Sequence, residues 1–493
     1  MFEAFLEGAA LVFTVSALGL LVAGVLVGII MGSIPGMTAT MTVAVLVSFT
    51  FGMDPIPGMM LLLGIYGGAL YAGSIPAILI RTPGTPSAAA TVFDGYPLSK
   101  NGEAGRAIGI ATLASFVGGA VSVVILAVFA PQVAQIALNF RSPEFFALAV
   151  FGLTIIASIS GDSITKGLIS GLIGMLIATV GLDPVLGTHR LTFGTTELVA
   201  GLAFIAVMIG LFGVAEGLNH YREGIEREAI DQEISGTIPS WEDVRAIRNV
   251  SLGSSVAGGL IGAIPGAGGD MASFVTYNEA KRWASNAIPP FGEGNVRGIA
   301  AAESGNNAST GGALIPTLTL GIPGDAVSAI LIGALLVHGI TPGPGMFESD
   351  ADVVYGIFIG FFLVYVVILV VGLLGAHAWA RLISFPPRML WPSILLLCVV
   401  GSIALRGNFF DAWVMVVAGI VGYVLMMQEY PLIPMVLGMI LSPIAESNFR
   451  RSLQLSDGSL DIFYTSPIAL AILLLAVLSV FYPVIQKRLA DRT

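Results

Sequence analysis

Gly311–Pro344 reads GGALIPTLTLGIPGDAVSAILIGALLVHGITPGP, two apolar segments either side of a GIPGD turn at Gly321 to Asp325. Crossing a bilayer takes about 20 apolar residues, so neither segment crosses comfortably alone. A proline and two glycines interrupt the apolar run, and an acid follows at once. In a soluble protein such a stretch is a loop. At membrane depth, irregular backbone is tolerated only where it is buried in protein or lines a cavity. The stretch therefore reads as a broken helix, and a small anionic or ionic ligand is the reason for the break.

Composition fixes the medium. Of 493 residues, 56% are hydrophobic and only 11% charged, with mean hydropathy +0.92. Soluble domains carry about 25% charged residues. Residues 8–53 contain no charged side chain, and similar runs recur at 55–80, 198–215, 353–380 and 462–486. These runs lack the ten-residue alternation of barrel strands, so they are helices. Met1 to Glu7 lacks the basic start of a cleavable signal, so the first apolar run is expected to stay as a helix. Cys398, the one cysteine, excludes an intrachain disulfide and argues against a thiolate metal site. No basic face suggests nucleic acid, and the formal charge of −10 lies partly in a central polar stretch.

The halves of the chain repeat. Gly32-Ser-Ile-Pro-Gly36 matches Gly262-Ala-Ile-Pro-Gly266. Ile75-Pro76 precedes Thr82-Pro83-Gly84 by the spacing that separates Ile315-Pro316 from Ile322-Pro323-Gly324. Paired segments interrupted by Gly and Pro are the best sequence pointer to a transporter binding site. The expected organisation is a first transmembrane repeat over 1–218, a polar cytoplasmic connector over 219–249, and a second repeat with a C-terminal helix over 250–493. A polar loop is expected over Asp94–Arg106. Broken or re-entrant segments fall at 32–45, 76–92, 262–275 and 311–340.

Charge bias suggests orientation. Lys100 and Arg106 mark one loop, whereas its counterpart carries only Glu348, Asp350 and Asp352. Matched loops on opposite faces are what inverted repeats predict. Arg222, Arg227, Arg245 and Arg248 place the connector inside, and Lys487, Arg488 and Arg492 the C-terminus. Arg450 and Arg451 then fall outside, against the rule.

Four Pro-Gly turns (Pro35-Gly36, Pro83-Gly84, Pro265-Gly266, Pro323-Gly324) carry the chemistry. A helix start at depth offers unpaired N–H groups to an anion, and a helix end offers carbonyls to a cation. Hydroxyls and amides sit beside them: Ser33, Thr38 and Thr40; Thr82, Thr85 and Ser87; Asn306, Asn307, Ser309 and Thr310. Each of these could equally serve only interhelical hydrogen bonding. Arg81, Asp270, Glu303 and Asp325 are ionisable groups near the turns, functional candidates by default in a membrane. Arg81 either pairs with a substrate carboxylate or snorkels to the surface. Asp325 either holds a cation, accepts a proton, or caps the helix that follows it. His338, beside a glycine turn, reads as structural.

Substrate binding is thus expected at Ser33, Pro35, Gly36, Thr38, Arg81, Thr82, Pro83, Gly84, Thr85, Pro265, Gly266, Asn306, Asn307, Pro323 and Gly324. Ion coupling is expected at Asp270, Glu303, Ser309, Thr310 and Asp325. Gly324→Val is expected to abolish uptake with the protein still in the membrane. No HExxH, Walker A, CxxC or GxSxG motif occurs, so enzyme chemistry is not expected.

GSIPG, TPGTPS and DGYP in the first half, with GAIPGAGGD, YNEAKR, FGEG, ESGNNAS, LTLGIPGD and HGITPGP in the second, resemble the large membrane subunit of the tripartite tricarboxylate transporters. The resemblance implies a multi-pass secondary transporter of the bacterial inner membrane. It implies a small membrane subunit and a periplasmic solute-binding protein as partners, organic di- and tricarboxylates as substrates, and an ion gradient as driving force. No cofactor is implied beyond Na⁺ as a coupling ion. The expected fold is an all-α integral membrane protein of two inverted repeats with broken or re-entrant helices. It would have roughly 12–15 membrane segments and an elevator-like architecture. A channel or a carboxylate transporter that works without a binding protein is the first alternative, and an intramembrane enzyme the weaker one.

Overall fold

The computed structural model describes residues 2–159, 163–223, 236–266, 268–284, 286–382 and 387–490. Part of the expected connector, 224–235, lies outside the described residues. The chain is helical almost throughout. In order, the helices of the first half are α1 (Phe2–Val12), α2 (Val15–Gly32), α3 (Ala39–Leu46), α4 (Pro55–Ala72), α5 (Ser74–Ile80), α6 (Val92–Leu98), α7 (Ala104–Ala137), α8 (Ser142–Ile159), α9 (Ile164–Ala178), α10 (Phe204–Met208) and α11 (Ala215–Glu223). The rest are α12 (Trp241–Gly262), α13 (Gly268–Trp283), α14 (Val296–Leu320), α15 (Ala326–Val337), α16 (Met346–Ser349), α17 (Ala351–Leu382), α18 (Pro387–Arg406), α19 (Phe409–Met427), α20 (Ile433–Leu455), α21 (Asp461–Thr465) and α22 (Pro467–Ala490). Among the described residues, five stretches are long and apolar enough to cross a membrane: Val15–Gly32, Pro55–Ile80, Pro86–Ala137, Ala351–Arg381 and Phe409–Met427.

Two compact units emerge, Met1–Ala134 with Gly217–Leu397 and Gln135–Glu216 with Cys398–Thr493. Each draws on both halves of the sequence. The first unit holds every repeated motif.

Glycine spacing explains how the first unit packs. Gly24, Gly28 and Gly32 recur every four residues on α2, forming one stripe. A Cβ on Gly28 would stand 2.5 Å from the Ile65 carbonyl oxygen, and one on Gly32 would strike the Ala69 carbonyl. The stripe thus lets α2 lie directly on the backbone of α4, the small-residue packing common in lipid. The second half does the same. Gly258 and Gly262 on α12 lie against the backbone of Gly305 and Ser309 on α14. The correspondence that pairs Pro76 with Pro316 also pairs Ala69 with Ser309, so the repeat extends from motif to packing.

The turns repeat as well. Arg81 and Gly321 both end their helices in the left-handed region, at φ 60° and 67°. In each case the second residue of the turn reaches back: Thr82 N–H donates to Pro76 O at 3.4 Å, and Ile322 N–H to Pro316 O at 3.2 Å. Gly36 and Gly266 adopt φ 86° and 80°, which L side chains rarely tolerate.

Four expectations change in detail. Gly311 is not the start of a short segment, because α14 already runs from Val296 and bends through Pro316 to Leu320. The stretch from Asp94 to Arg106 is not a loop: α6, a π-turn over Ser99–Glu103 and α7 follow one another. Its polar groups find partners from the second half. Arg106 donates to both oxygens of Asp243 and pairs with Glu103 at 2.5 Å. The first apolar run breaks after Val12, where Thr14 caps α2 by accepting from Ala17 N–H at 3.3 Å. Finally, Gly181–Leu182 and His189–Arg190 pair as a short antiparallel hairpin.

That hairpin is fixed within the second unit by ions. Arg190 bridges Asp183 and Glu446, and Arg450 contacts the same two acids at 2.7 and 3.1 Å. Arg450, the exception to the charge rule, is thereby neutralised. The Asp183 side chain is only 4% exposed, and burial alone would raise its pKa. Hydrogen bonds from Arg450, Leu186 N–H, Arg190 and Val185 N–H outweigh this and hold the carboxyl below the usual carboxylate range.

Two tests follow from the packing and the ion cluster. Gly262→Val forces a branched side chain into the Ser309 backbone and should cost several degrees of unfolding midpoint in detergent. Gly253→Ala on the same helix meets nothing within 4 Å and should be neutral or stabilising by roughly 0.5–1 kcal/mol. For Asp183, a lowered folded pKa means a stabilisation present above about pH 4, the unfolded value, and lost as pH falls further. The gap between the unfolding midpoints of wild type and Asp183→Asn should therefore stay constant from pH 7 to about pH 5 and begin to narrow below about pH 4, without closing by pH 3.

Candidate functional site

α14 is buried along almost its whole length and yet carries a row of polar side chains. Glu303, Ser304, Asn306, Asn307, Ser309, Thr310, Thr317 and Thr319 are all at most 1% exposed. Polar groups at such depth need partners. Ser304 Oγ donates to Ala114 O at 3.0 Å; Ser309 and Thr310 donate to the Asn306 and Asn307 carbonyls, each at 2.7 Å. Thr310 Oγ1 also lies 2.8 Å from Tyr365 Oη on α17. The hydrogen-bonding roles of Ser309 and Thr310 are thus met within the protein.

Asn306 is different. It is fully buried, yet neither its Nδ2 nor its Oδ1 has a hydrogen-bond partner. Its amide is aimed at the first turn of α13: a Cβ on Gly269 would stand 2.5 Å from Asn306 Oδ1, 3.2 Å from Ser309 Oγ and 3.3 Å from Ser87 Cβ. Ser87 Oγ in turn lies 3.1 Å from Thr85 Oγ1. Asn306, Ser309, Ser87, Thr85 and the start of α13 therefore meet in one place. Glycine at 268 and 269 is required there, since Gly268 has φ 56° and Gly269 faces the amide.

The Pro-Gly turns frame this cluster. Gly266 N–H donates to Gly324 O at 2.6 Å, tying the two turns of the second half together. Gly84 N–H donates to Gly73 O at 3.0 Å, and a Cβ on Gly84 would strike the Gly32 carbonyl. Gly324 is equally confined: its Cβ would lie 2.6 Å from Ala313 O and 2.7 Å from Ala313 Cβ. Pro35 and Pro323 are buried; Pro83 and Pro265 are partly so. Gly324→Val is therefore a folding variant, which corrects the expectation that it reports on uptake alone.

Asp325 resolves in favour of its capping role, with an addition. Its Oδ1 accepts from Ser328 N–H at 2.7 Å while Ser328 Oγ receives Asp325 N–H at 2.9 Å, a complete capping box on α15. Its Oδ2 accepts from the Tyr66 hydroxyl of α4. Tyr66 is wholly buried in the apolar run of α4, where no pattern in the sequence points to it. Asp325 is thus tied to its own helix and to the first half. Asp270 is an exposed acid in the first turn of α13 with no ion-pair partner among the described residues.

Other expected residues serve the turns themselves. Ser33 Oγ donates to Ile29 O at 2.7 Å, closing the end of α2. Thr38 caps α3 by accepting from Met41 N–H at 3.1 Å. Thr82 is exposed and donates to Ile80 O at 3.3 Å. Arg81 is exposed and lies 6.0 Å from the centroid of the Tyr96 ring, a cation–π arrangement. Among the described residues, no hydrogen bond or ion pair joins Arg81 or Thr82 to the Asn306 cluster.

Sequence reading missed a third anchoring group. Asp94 is fully buried and gathers the N–H groups of Gly292, Gly294 and Asn295 at 2.8, 3.0 and 2.7 Å on Oδ1, with Tyr277 Oη donating to Oδ2 at 2.9 Å. The DGYP and FGEG motifs are thereby two halves of one contact. The glycines of FGEG, at φ 97° and 98°, were its only visible signal.

Asn306 can be tested on its own. An unpaired buried amide costs free energy, so Asn306→Leu should raise the unfolding midpoint while abolishing ligand binding; the stabilisation is on the order of 1–3 kcal/mol. A lower midpoint would mean that the amide is structural.

The sequence is 37% identical over 450 residues to an Agrobacterium vitis protein described as "Uncharacterized 52.8 kDa protein in TAR-I ttuC' 3'region", covering 91% of this chain and 89% of that one. It is 35% identical over 234 residues to a second from the same organism, "Uncharacterized protein in TAR-II ttuC' 3'region", covering 47% of this chain and 96% of that one. No solved structure matches. Residues 18–437 match the family described as "Tripartite tricarboxylate transporter TctA family", to which the chain therefore belongs.

Proposed function

We propose that this chain is the large transmembrane subunit of a secondary transporter that imports organic carboxylates. It would work with a small membrane subunit and a periplasmic solute-binding protein, in the inner membrane of a bacterium and driven by an ion gradient. Family membership supplies the transporter role. The observation that carries the substrate class is Asn306: a buried amide with its hydrogen bonds unspent, facing a helix start and the hydroxyls of Ser87 and Thr85. Amide N–H, hydroxyl O–H and first-turn backbone N–H groups are all donors, the set that a carboxylate accepts.

The repeated turns and repeated glycine packing support two related halves, and charge bias supports their inversion. The Arg106–Asp243 pair links the Lys100–Arg106 segment to the start of α12, consistent with both on the inner face. An elevator-like movement of the hairpin-bearing part is proposed by analogy with other transporters of paired hairpins.

A channel is the rival reading, and one experiment separates the two. Proteoliposomes loaded with unlabelled carboxylate should accumulate labelled carboxylate transiently, with saturation; a channel would equilibrate without overshoot. Uptake with the cognate binding protein, under separately imposed Na⁺ and pH gradients, identifies the driving ion. Ser87→Ala should raise the half-saturating substrate concentration about tenfold, the loss of one hydrogen bond to a charged group. An unchanged value would remove Ser87 from the site.

A further inference from the structure

Glu303 lies in the N-terminal half of α14 with its side chain fully enclosed. Its Oε1 accepts from the Thr91 hydroxyl. Its Oε2 accepts from Ser115 Oγ at 3.1 Å and lies 3.4 Å from Asn307 Nδ2. Asn307 Nδ2 also donates to Ser115 Oγ at 2.9 Å, which leaves the Ser115 proton for Glu303. No lysine, arginine or histidine contacts Glu303 among the described residues. An isolated charge at such depth costs many kcal/mol, so either a bound cation or a proton must neutralise it.

A second observation points the same way. Asn307 Oδ1 is buried and accepts no hydrogen bond, although its Nδ2 is fully engaged beside Glu303. Acceptor capacity is thus in surplus where negative charge is unmatched. Glu303 Oε1 and Oε2, Thr91 Oγ1 and Ser115 Oγ are all hard oxygen ligands, and turning the Asn307 amide over would bring Oδ1 to the place where Nδ2 now faces Ser115 and Glu303. They include one carboxylate, so a single positive charge balances the site.

We propose that Glu303, Asn307, Ser115 and Thr91 bind one sodium ion, and that this is the coupling site of the transporter. The proposal rests on the transport reading above and deepens it. It also separates roles that the turns had shared: Asp325 is committed to its cap and to Tyr66, whereas Glu303 is uncommitted in charge. Because Thr91 and Ser115 come from the first half and Glu303 and Asn307 from the second, the ion would hold α6, α7 and α14 together. Asn306 sits next to Asn307 on α14, so ion and carboxylate would bind on adjacent residues of one helix.

Full-length protein in detergent is melted in NaCl and in choline chloride at matched ionic strength, and ²²Na⁺ binding is measured directly. The expected result is a saturable rise in the unfolding midpoint with NaCl. Glu303→Gln should abolish it. Ser115→Ala, which keeps the carboxylate, should raise the half-saturating sodium concentration about tenfold. If Glu303→Gln does not fold, Ser115→Ala decides. No sodium effect on wild type, or an effect untouched by both variants, overturns the site. So does a midpoint that follows pH and not sodium and loses that dependence in Glu303→Gln, which would make Glu303 a proton carrier. Counterflow measured in parallel keeps the two readings apart. Counterflow without a sodium effect overturns the site alone, and sodium binding without counterflow upholds the site and overturns transport.

Discussion

The rest of the first unit depends on burying one polar helix. α14 carries a carboxylic acid, two amides and a row of hydroxyls, and exposes almost none of them. Such a helix cannot face lipid, and it cannot face apolar side chains without leaving donors and acceptors unpaired. Its surroundings are therefore small and polar. Glycines on α12 let backbone approach backbone, Ser115 and Thr91 reach one flank, and Tyr365 closes another. The Asn306 amide and the Asn307 Oδ1 are the exceptions, and the proposed sites are built on them.

Repetition supplies the frame. α2 on α4 and α12 on α14 use the same glycine spacing and end in the same pair of turns. The two halves differ in what the turns carry. Arg81 occupies the left-handed position in the first half and faces outward over Tyr96; Gly321 occupies it in the second, with Asp325 a few residues on. One turn therefore presents charge to the surface and the other ties an acid into the interior. Tyr66 and Thr91, both first-half residues, complete acids of the second half. The halves are alike in plan and complementary in detail.

Much of this was legible beforehand because Pro and Gly restrict backbone so strongly. All four Pro-Gly turns occur where their motifs place them, and Asn306, Ser87 and Gly269 converge. What could not be read were the partners. Nothing in the apolar run of α4 singles out Tyr66, and Thr91 and Ser115 resemble any helix hydroxyl. Asp94–Arg106 looked like a loop because its Gly, Pro and charged residues lack an apolar stripe. It folds as helix because Asp94 and Arg106 are satisfied from far along the chain, and local pattern carries no trace of that. Arg450 misled the charge count for the same reason, since Asp183 and Glu446 are its partners and not solvent.

The Asp94 contact has a consequence for biogenesis. Three amide groups of Gly292–Asn295 converge on one carboxylate oxygen about 200 residues earlier in the chain. Synthesis runs from the N-terminus, so α6 is made long before this loop and waits for it. Shape in the second half is thus templated by a residue already in place. In a protein built on a repeated plan the two copies are thereby coupled, since the polar groups of the DGYP segment and of the FGEG loop are satisfied by one another.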